Sequence, residues 1–240
     1  MTVYRDTGVV LRTYRLGEAD RIVVLMTARH GKVRAVAKGV RKVKSRFGGR
    51  LEPISHVSLL LYEGRQLDVV QQAESIDHLR SVREDLDALT RALALLEVVD
   101  QVAQEREPDV RLYQMLVGAL RTLAAQPAPL LVPAFYWKVL AHEGVRPELD
   151  ACVSCGETGP LVAFDVGEGG LLCRTCRRGV AVSTEAIELL RRILGGDLVR
   201  VLGEGPSPAA HEVEVLATRA MEHHLERRLR AVSLLAREHE

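Results

Sequence analysis

Aromatic residues are scarce in this chain: one Trp, five Tyr and three Phe among 240 residues. With 47% apolar residues, its cores must be built from Leu, Val and Ala. No apolar run approaches the roughly 20 residues that a bilayer-spanning helix needs, so no membrane role is expected. The opening MTVYRDTGVVLRTYR is charged early and lacks an apolar signal core, which predicts a cytoplasmic protein. Nucleotide and hydrolase signatures are missing as well: there is no G-x4-G-K-[ST], G-x-G-x-x-G, H-E-x-x-H or G-x-S-x-G. His223 and His224 are adjacent, so they diverge around a helix and make a poor metal pair. No pair of carboxylates stands out, and the chain is expected not to be an enzyme.

Acidic residues are absent from one long stretch. From Arg21 to Leu51 there are ten Lys or Arg and no Asp or Glu. Residues 1–80 carry 15 bases against 8 acids, a net of +7, whereas 81–150 carry 7 against 11 and 151–240 carry 11 against 13. The total of +1 therefore hides a polarised molecule. A concentrated cationic segment on a neutral protein points to a polyanion, most simply a nucleic-acid backbone. Lys32-Val33-Arg34-Ala35 alternates as a strand with one buried face. After Gly39 the periodicity is lost, which predicts a mobile basic loop. The candidate phosphate contacts are Lys38, Arg41, Lys42, Lys44 and Arg46, helped by Arg29, Lys32 and Arg34. Phe47, the aromatic residue within this charge run, is a candidate for stacking on a base.

At 240 residues two domains are expected. Residues 1–80 read as five short strands, at Val9–Leu11, Ile22–Met26, Lys32–Ala35, Val57–Tyr62 and Leu67–Val70. The close turns between them suggest a small barrel, either an OB-fold, which binds oligonucleotides on one face, or an SH3-like barrel. Residues 81–240 read as a helical domain. Leu86, Leu89, Leu93 and Leu96 form one amphipathic stripe, and Leu112, Leu116, Leu120 and Leu123 a second. A third helix should run from Leu131 to His142 and stop at Gly144. Ser183 should cap a helix carrying Ile187, Leu190 and Leu194, and a last helix is expected from His211 to Arg237. The acidic balance of this part suggests docking to proteins rather than to DNA.

The four cysteines fall in the insert 150–182, a Gly-rich stretch that reads as irregular between helices. Cys152-x2-Cys155 and Cys173-x2-Cys176 lie 17 residues apart, a strong metal signal in a reducing compartment. Two such knuckles bring four thiolates to one zinc ion, which closes a tetrahedral shell and leaves no position for water. The expected cofactor is thus one structural Zn2+. Arg174, Arg177 and Arg178 stand beside the second pair and would offset its negative charge.

Three stretches resemble the RecO family of bacterial DNA repair proteins. Tyr14 to Val23, YRLGEADRIV, is similar to that family's first hairpin. Ala37-Lys38-Gly39-Val40-Arg41-Lys42, with Ser45-Arg46, is similar to its basic K-G-x-R signature. The paired C-x2-C insert after a helical segment is similar to its zinc-bearing members. Order and length agree over essentially the whole chain, most specifically over residues 1–60. The resemblance implies an α+β protein: an N-terminal five-stranded OB-fold barrel, then an α-helical domain carrying a four-cysteine zinc module. It implies a nucleoid-associated mediator that binds single- and double-stranded DNA and anneals complementary strands. It further implies loading of the RecA recombinase onto DNA coated by single-strand binding protein, with RecR, and often RecF, as partners. The competing class is an RNA-binding module with a regulatory or translation-associated role.

Overall fold

The computed structural model describes residues 2–77 and 79–231. Its strands β1 (Val3–Leu16), β2 (Asp20–Thr27), β3 (Gly31–Ala37), β4 (His56–Tyr62) and β5 (Asp68–Asp77) close into a barrel in the order β1-β2-β3-β5-β4. Every neighbouring pair is antiparallel except β3 with β5, the connectivity of an OB-fold. Closure is possible because β1 is 14 residues long. Its first half pairs with β4 and its second half with β2, and a bulge between Val10 and Arg12 bends it from one to the other. Alternation then sends Val10, Val23, Leu25, Ala35, Ala37, Val57, Leu59, Leu61 and Val70 inward. Strand β5 extends well beyond the predicted Leu67–Val70. Its continuation QQAESID is polar, and within it only Ala73 joins the buried set, so hydropathy gave no signal.

The long β3–β4 connection closes one end of the barrel. A 3-10 turn at Gly48–Leu51 drives Phe47 and Leu51, each 1% exposed, into the inner core. Helices α1 (Arg80–Glu84), α2 (Leu86–Val102) and α3 (Val110–Ala125) follow β5. Asp85 and Asp109 start α2 and α3 by accepting from the N–H groups of Ala88 and Leu112, each at 2.8 Å. Helix does begin at 80, where the sequence changes texture, but compactness divides the chain later. One unit runs to Gln126 and the other begins at Pro127.

Polar contacts explain why α1–α3 belong with the barrel. Lys32 N–H donates to the Gln104 carbonyl and Arg106 N–H to the Lys32 carbonyl, so the turn after α2 adds to β3 as an extra strand would. The Arg106 guanidinium reaches Asp68, a fully buried carboxylate that also accepts from the Tyr4 hydroxyl and the Gly64 N–H. Burial first, then the bond to Asp68, pushes the Tyr4 phenol above its ordinary value. On the other side His56 lies between Asp77 (Nδ1 to Oδ2, 2.5 Å) and the hydroxyl of Tyr113 on α3 (Nε2 to O, 2.7 Å). Burial draws the Asp77 carboxyl up, but hydrogen bonds from His56 and Arg121 outweigh it and hold the group below its ordinary value.

The second unit is built on α4 (Leu131–His142), which packs against α7 (Pro208–His224) and α5 (Thr184–Gly195). Helix α6 (Leu198–Leu202) is a short turn after α5. Ser183 and Ser207 cap α5 and α7, and Gly144 follows α4 in the left-handed region, φ +84°. Two expectations change. The insert 150–182 is not irregular throughout, because β6 (Leu161–Asp165), β7 (Gly170–Cys173) and β8 (Val180–Ala181) form a sheet in the order β7-β6-β8. The last helix ends at His224, where Glu226 turns left-handed at φ 51°, rather than at Arg237. Residues 232–237 of that expected helix lie outside the described residues.

Gly31 tests the docking of the α2–α3 turn. Its φ is +64°, and a Cβ there would stand 1.9 Å from the backbone oxygen of Glu107. Backbone cannot yield as a side-chain tip can. Gly31→Ala should cost more than about 2 kcal/mol, read as a lower urea midpoint. A midpoint within error of wild type would mean the turn is not held against β3.

Candidate nucleic-acid interface and metal centre

The basic loop is anchored at both ends. At its start the Asp20 carboxylate accepts from the Gly39 N–H at 2.7 Å. The Arg41 N–H donates to the Ala19 carbonyl at 3.0 Å, and the Arg41 guanidinium to the Glu18 carbonyl at 2.9 Å. The tip of the β1–β2 hairpin thus holds the loop that leaves β3. Two turns follow, closed by Lys42 N–H to Gly39 O and Ser45 N–H to Lys42 O. At its far end Phe47 is fixed in the barrel. The sequence predicted a mobile loop; hydrogen bonds to the hairpin and a buried aromatic ring fix its two ends.

Phe47 is accordingly a core residue and not a base-stacking one. Its ring is 1% exposed, and its outer contact is the Arg46 guanidinium, 4.8 Å from the ring centroid. The loop aromatic was legible; the burial of its ring was not, because the plug that needs it is set by barrel closure.

The eight candidate bases separate in space. Lys38, Arg41, Lys42, Lys44 and Arg46 are all exposed and, among the described residues, none meets a carboxylate. Beside them Val43 is fully exposed. Lys32 and Arg34 stand on the outer wall of β3 and face acids that the linear charge count could not see. Lys32 Nζ donates to the Asp100 carbonyl at 2.7 Å, and Arg34 lies 3.7 Å from Glu105. Arg29 sits at the other end of β3, roughly 20 Å from the loop by strand rise, bonded to the Arg5 carbonyl and near Asp6. Ten bases without an acid along the chain thus become a smaller uncompensated set at one barrel end.

The cysteine quartet converges. All four Sγ atoms lie within 4.8 Å of one another, and Cys155 and Cys173 are 3.7 Å apart without a disulfide. The first knuckle turns at Gly156, φ +77°, whose N–H donates to the Cys152 carbonyl at 2.8 Å. The backbone N–H of Cys173 above all, with those of Cys155 and Ser154, brings the Cys152 thiol down to about 6. At Cys155 the backbone N–H of Glu157 acts the same way, but the thiols of Cys152, Cys176 and Cys173 push it up to about 12. Four sulfurs this close can all be thiolates only around a cation, and the donor set suits a metal ion. Of the three neighbouring arginines, Arg178 is taken by Asp165, at 2.7 Å, and by Glu168. Arg174 and Arg177 remain exposed beside the sulfurs.

Comparison with known proteins names the family. Residues 1–79 match the model described as Recombination protein O N terminal, and residues 83–232 match Recombination protein O C terminal. The chain belongs to the RecO family. It is 45% identical over 243 residues to the DNA repair protein RecO of Frankia casuarinae, covering 99% of this chain and all of that one. It is 44% identical over 247 residues to the DNA repair protein RecO of Bifidobacterium adolescentis, covering 98% of this chain and all of that one. The RecO N-terminal match ends just after β5, and the C-terminal match begins inside α1. Among the described residues no helix is long and apolar enough to cross a membrane.

Asp20 offers a local test of the loop anchor. Asp20→Ala should speed amide exchange at Gly39 and through 38–46. Global stability should fall by no more than about 1 kcal/mol, since one half-buried hydrogen bond is lost. Unchanged exchange at Gly39 would mean the hairpin does not hold the loop.

Proposed function

We propose that this RecO-family chain is a non-enzymatic DNA repair and recombination mediator that works in the cytoplasm at the nucleoid. It binds single- and double-stranded DNA, anneals complementary strands and helps load RecA onto DNA coated by single-strand binding protein. RecR, with RecF, and the single-strand binding protein are its partners. The observation that carries this reading is the anchored loop bearing Lys38, Arg41, Lys42, Lys44 and Arg46, none of them, among the described residues, ion-paired with a carboxylate. Annealing requires that phosphate repulsion between two strands be screened while base edges stay free. Fixed cations supply this without nucleotide turnover, and they read no sequence. Arg29, Lys32 and Arg34 extend the cationic wall, with Lys32 and Arg34 partly neutralised by α2 and the turn after it.

Each phosphate contact adds roughly 0.7 to the magnitude of the slope of log K against log salt for single strands. The triple variant Arg41→Ala, Lys42→Ala, Lys44→Ala should flatten that slope by about 2, equally across sequences, and annealing without ATP should fall with it. A folded variant with the wild-type slope would sink the assignment of the loop. Running matched RNA strands beside DNA separates the mediator from an RNA-binding module, which would prefer RNA.

The thiol quartet holds one structural Zn2+ in this reading, through Cys152, Cys155, Cys173 and Cys176. Bound there, the ion would cross-link the two knuckles and take no part in chemistry, because four thiolates fill its shell. Cys173→Ser should lose the metal, measured by elemental analysis, and raise proteolytic cleavage within 150–182. Strand annealing should change less than zinc content. Reduced wild-type protein containing no stoichiometric zinc would overturn this.

A further inference from the structure

A cavity of about 350 Å³ opens where the plug turn meets the start of α1, lined by Gly48, Gly49, Arg50, Ser55, Ser75, Asp77, Arg80 and Arg83 among others. Two of its arginines are held by neutral oxygens. Arg50 donates to the carbonyls of Arg46 and Phe47, each at 3.2 Å, and Arg83 to the Pro53 carbonyl at 3.0 Å and the Ser55 hydroxyl at 2.8 Å. Carbonyls fix a guanidinium in place yet leave its charge whole, which pre-organises a forked donor for an anion. Arg80 adds a third guanidinium, paired with Glu84 across one turn at 2.7 Å. Of the acids nearby, Asp77 is engaged by His56 and Arg121, and Glu52 pairs with Arg21 at 2.6 Å while its charge also acts on Arg83 without a direct bond. Hydroxyls of Ser55 and Ser75 and the two glycines of the plug turn complete a lining suited to phosphate oxygens.

We propose that Arg50, Arg80 and Arg83 form a second phosphate site, taking the backbone of the nucleic-acid strand as it passes from the 38–46 loop around the barrel end. This rests on the loop being the first site. Arg50 follows that loop directly in the chain, so the two sites adjoin. The cavity also gives a DNA role to residues at the start of the helical part, where the acidic balance had suggested protein docking alone.

The experiment measures the salt dependence of affinity for a single strand of about 16 nucleotides, near the upper site size of one OB-fold. It uses full-length wild type, the loop triple variant, and Arg80→Gln combined with Arg83→Gln. The last should flatten the slope by roughly 1.4, two contacts at about 0.7 each, and the five changes together should add. Arg83→Lys keeps charge while losing the fork to Pro53 and Ser55; with Arg80 intact it should retain most of the slope. A structural role alone would instead lower the thermal midpoint of both Arg83 variants and leave the slope of any folded one unchanged, overturning the proposal. If the loop variant flattens the slope and the Arg80, Arg83 variant does not, the second site is wrong and the first stands. If wild type shows no salt-dependent binding, both fall. Inorganic phosphate at matched ionic strength forms the remaining arm. A thermal shift that needs Arg80 and Arg83, with no change in the strand's slope, would assign the cavity to free phosphate and overturn the strand path.

Discussion

Asp100 is the hinge of the electrostatics in the first unit. It is 6% exposed on α2, and it faces the outer wall of the barrel, where Arg12 Nε meets its carboxylate at 2.7 Å and Lys32 Nζ its carbonyl. A carboxylate so placed must be paired, and removing its partners would leave a charge that the packed interface cannot hydrate. The arrangement docks the helix on the barrel and, by the same contacts, removes cations from the face of β3. What remains exposed is the loop at the barrel end. The position of α2 therefore decides where the polarised charge of the N-terminal segment acts.

Much of this architecture was legible because its signals are local. The apolar runs of β2 and β4, the alternation in β3, the stripe of α3, the cap at Ser183 and the stop at Gly144 each lie within a few residues of the structure they determine. The stripe expected for α2, in contrast, does not mark its buried face: Leu86 is exposed and Ala92, Leu95, Val98 and Val99 are buried instead. The thiol spacing was legible for the same reason: each knuckle needs only Cys-x2-Cys and a turn. What stayed hidden depends on distant neighbours. Phe47 looked like an exposed aromatic because its cavity is made by five strands. Lys32 and Arg34 looked unpaired because their acids are about 70 residues away in the chain. The polar half of β5 and the small sheet of 150–182 are held by pairing that hydropathy does not encode.

The two candidate sites solve opposite problems. At the cysteines, negative charge is gathered and brought to a cation, with backbone N–H groups already aimed at Cys152. At the loop, positive charge is gathered and kept from carboxylates, so the compensating charge must come from outside. The first arrangement suits a permanent ligand. The second suits one that must leave, because a polyanion held by exposed charges is displaced readily as ions compete for them.

The anchoring of the loop between Gly39 and Phe47 has an evolutionary corollary. Insertions between Arg41 and Arg46 would lengthen a surface segment whose ends remain fixed, and doubling such a loop costs only about 0.6 kcal/mol in closure entropy. A single insertion between Phe47 and Leu51 would instead rotate one of two buried plug residues out of the barrel. Natural variation in length should therefore collect among the cations, letting the reach of the grip drift between lineages, while the four-residue stopper behind it keeps its count.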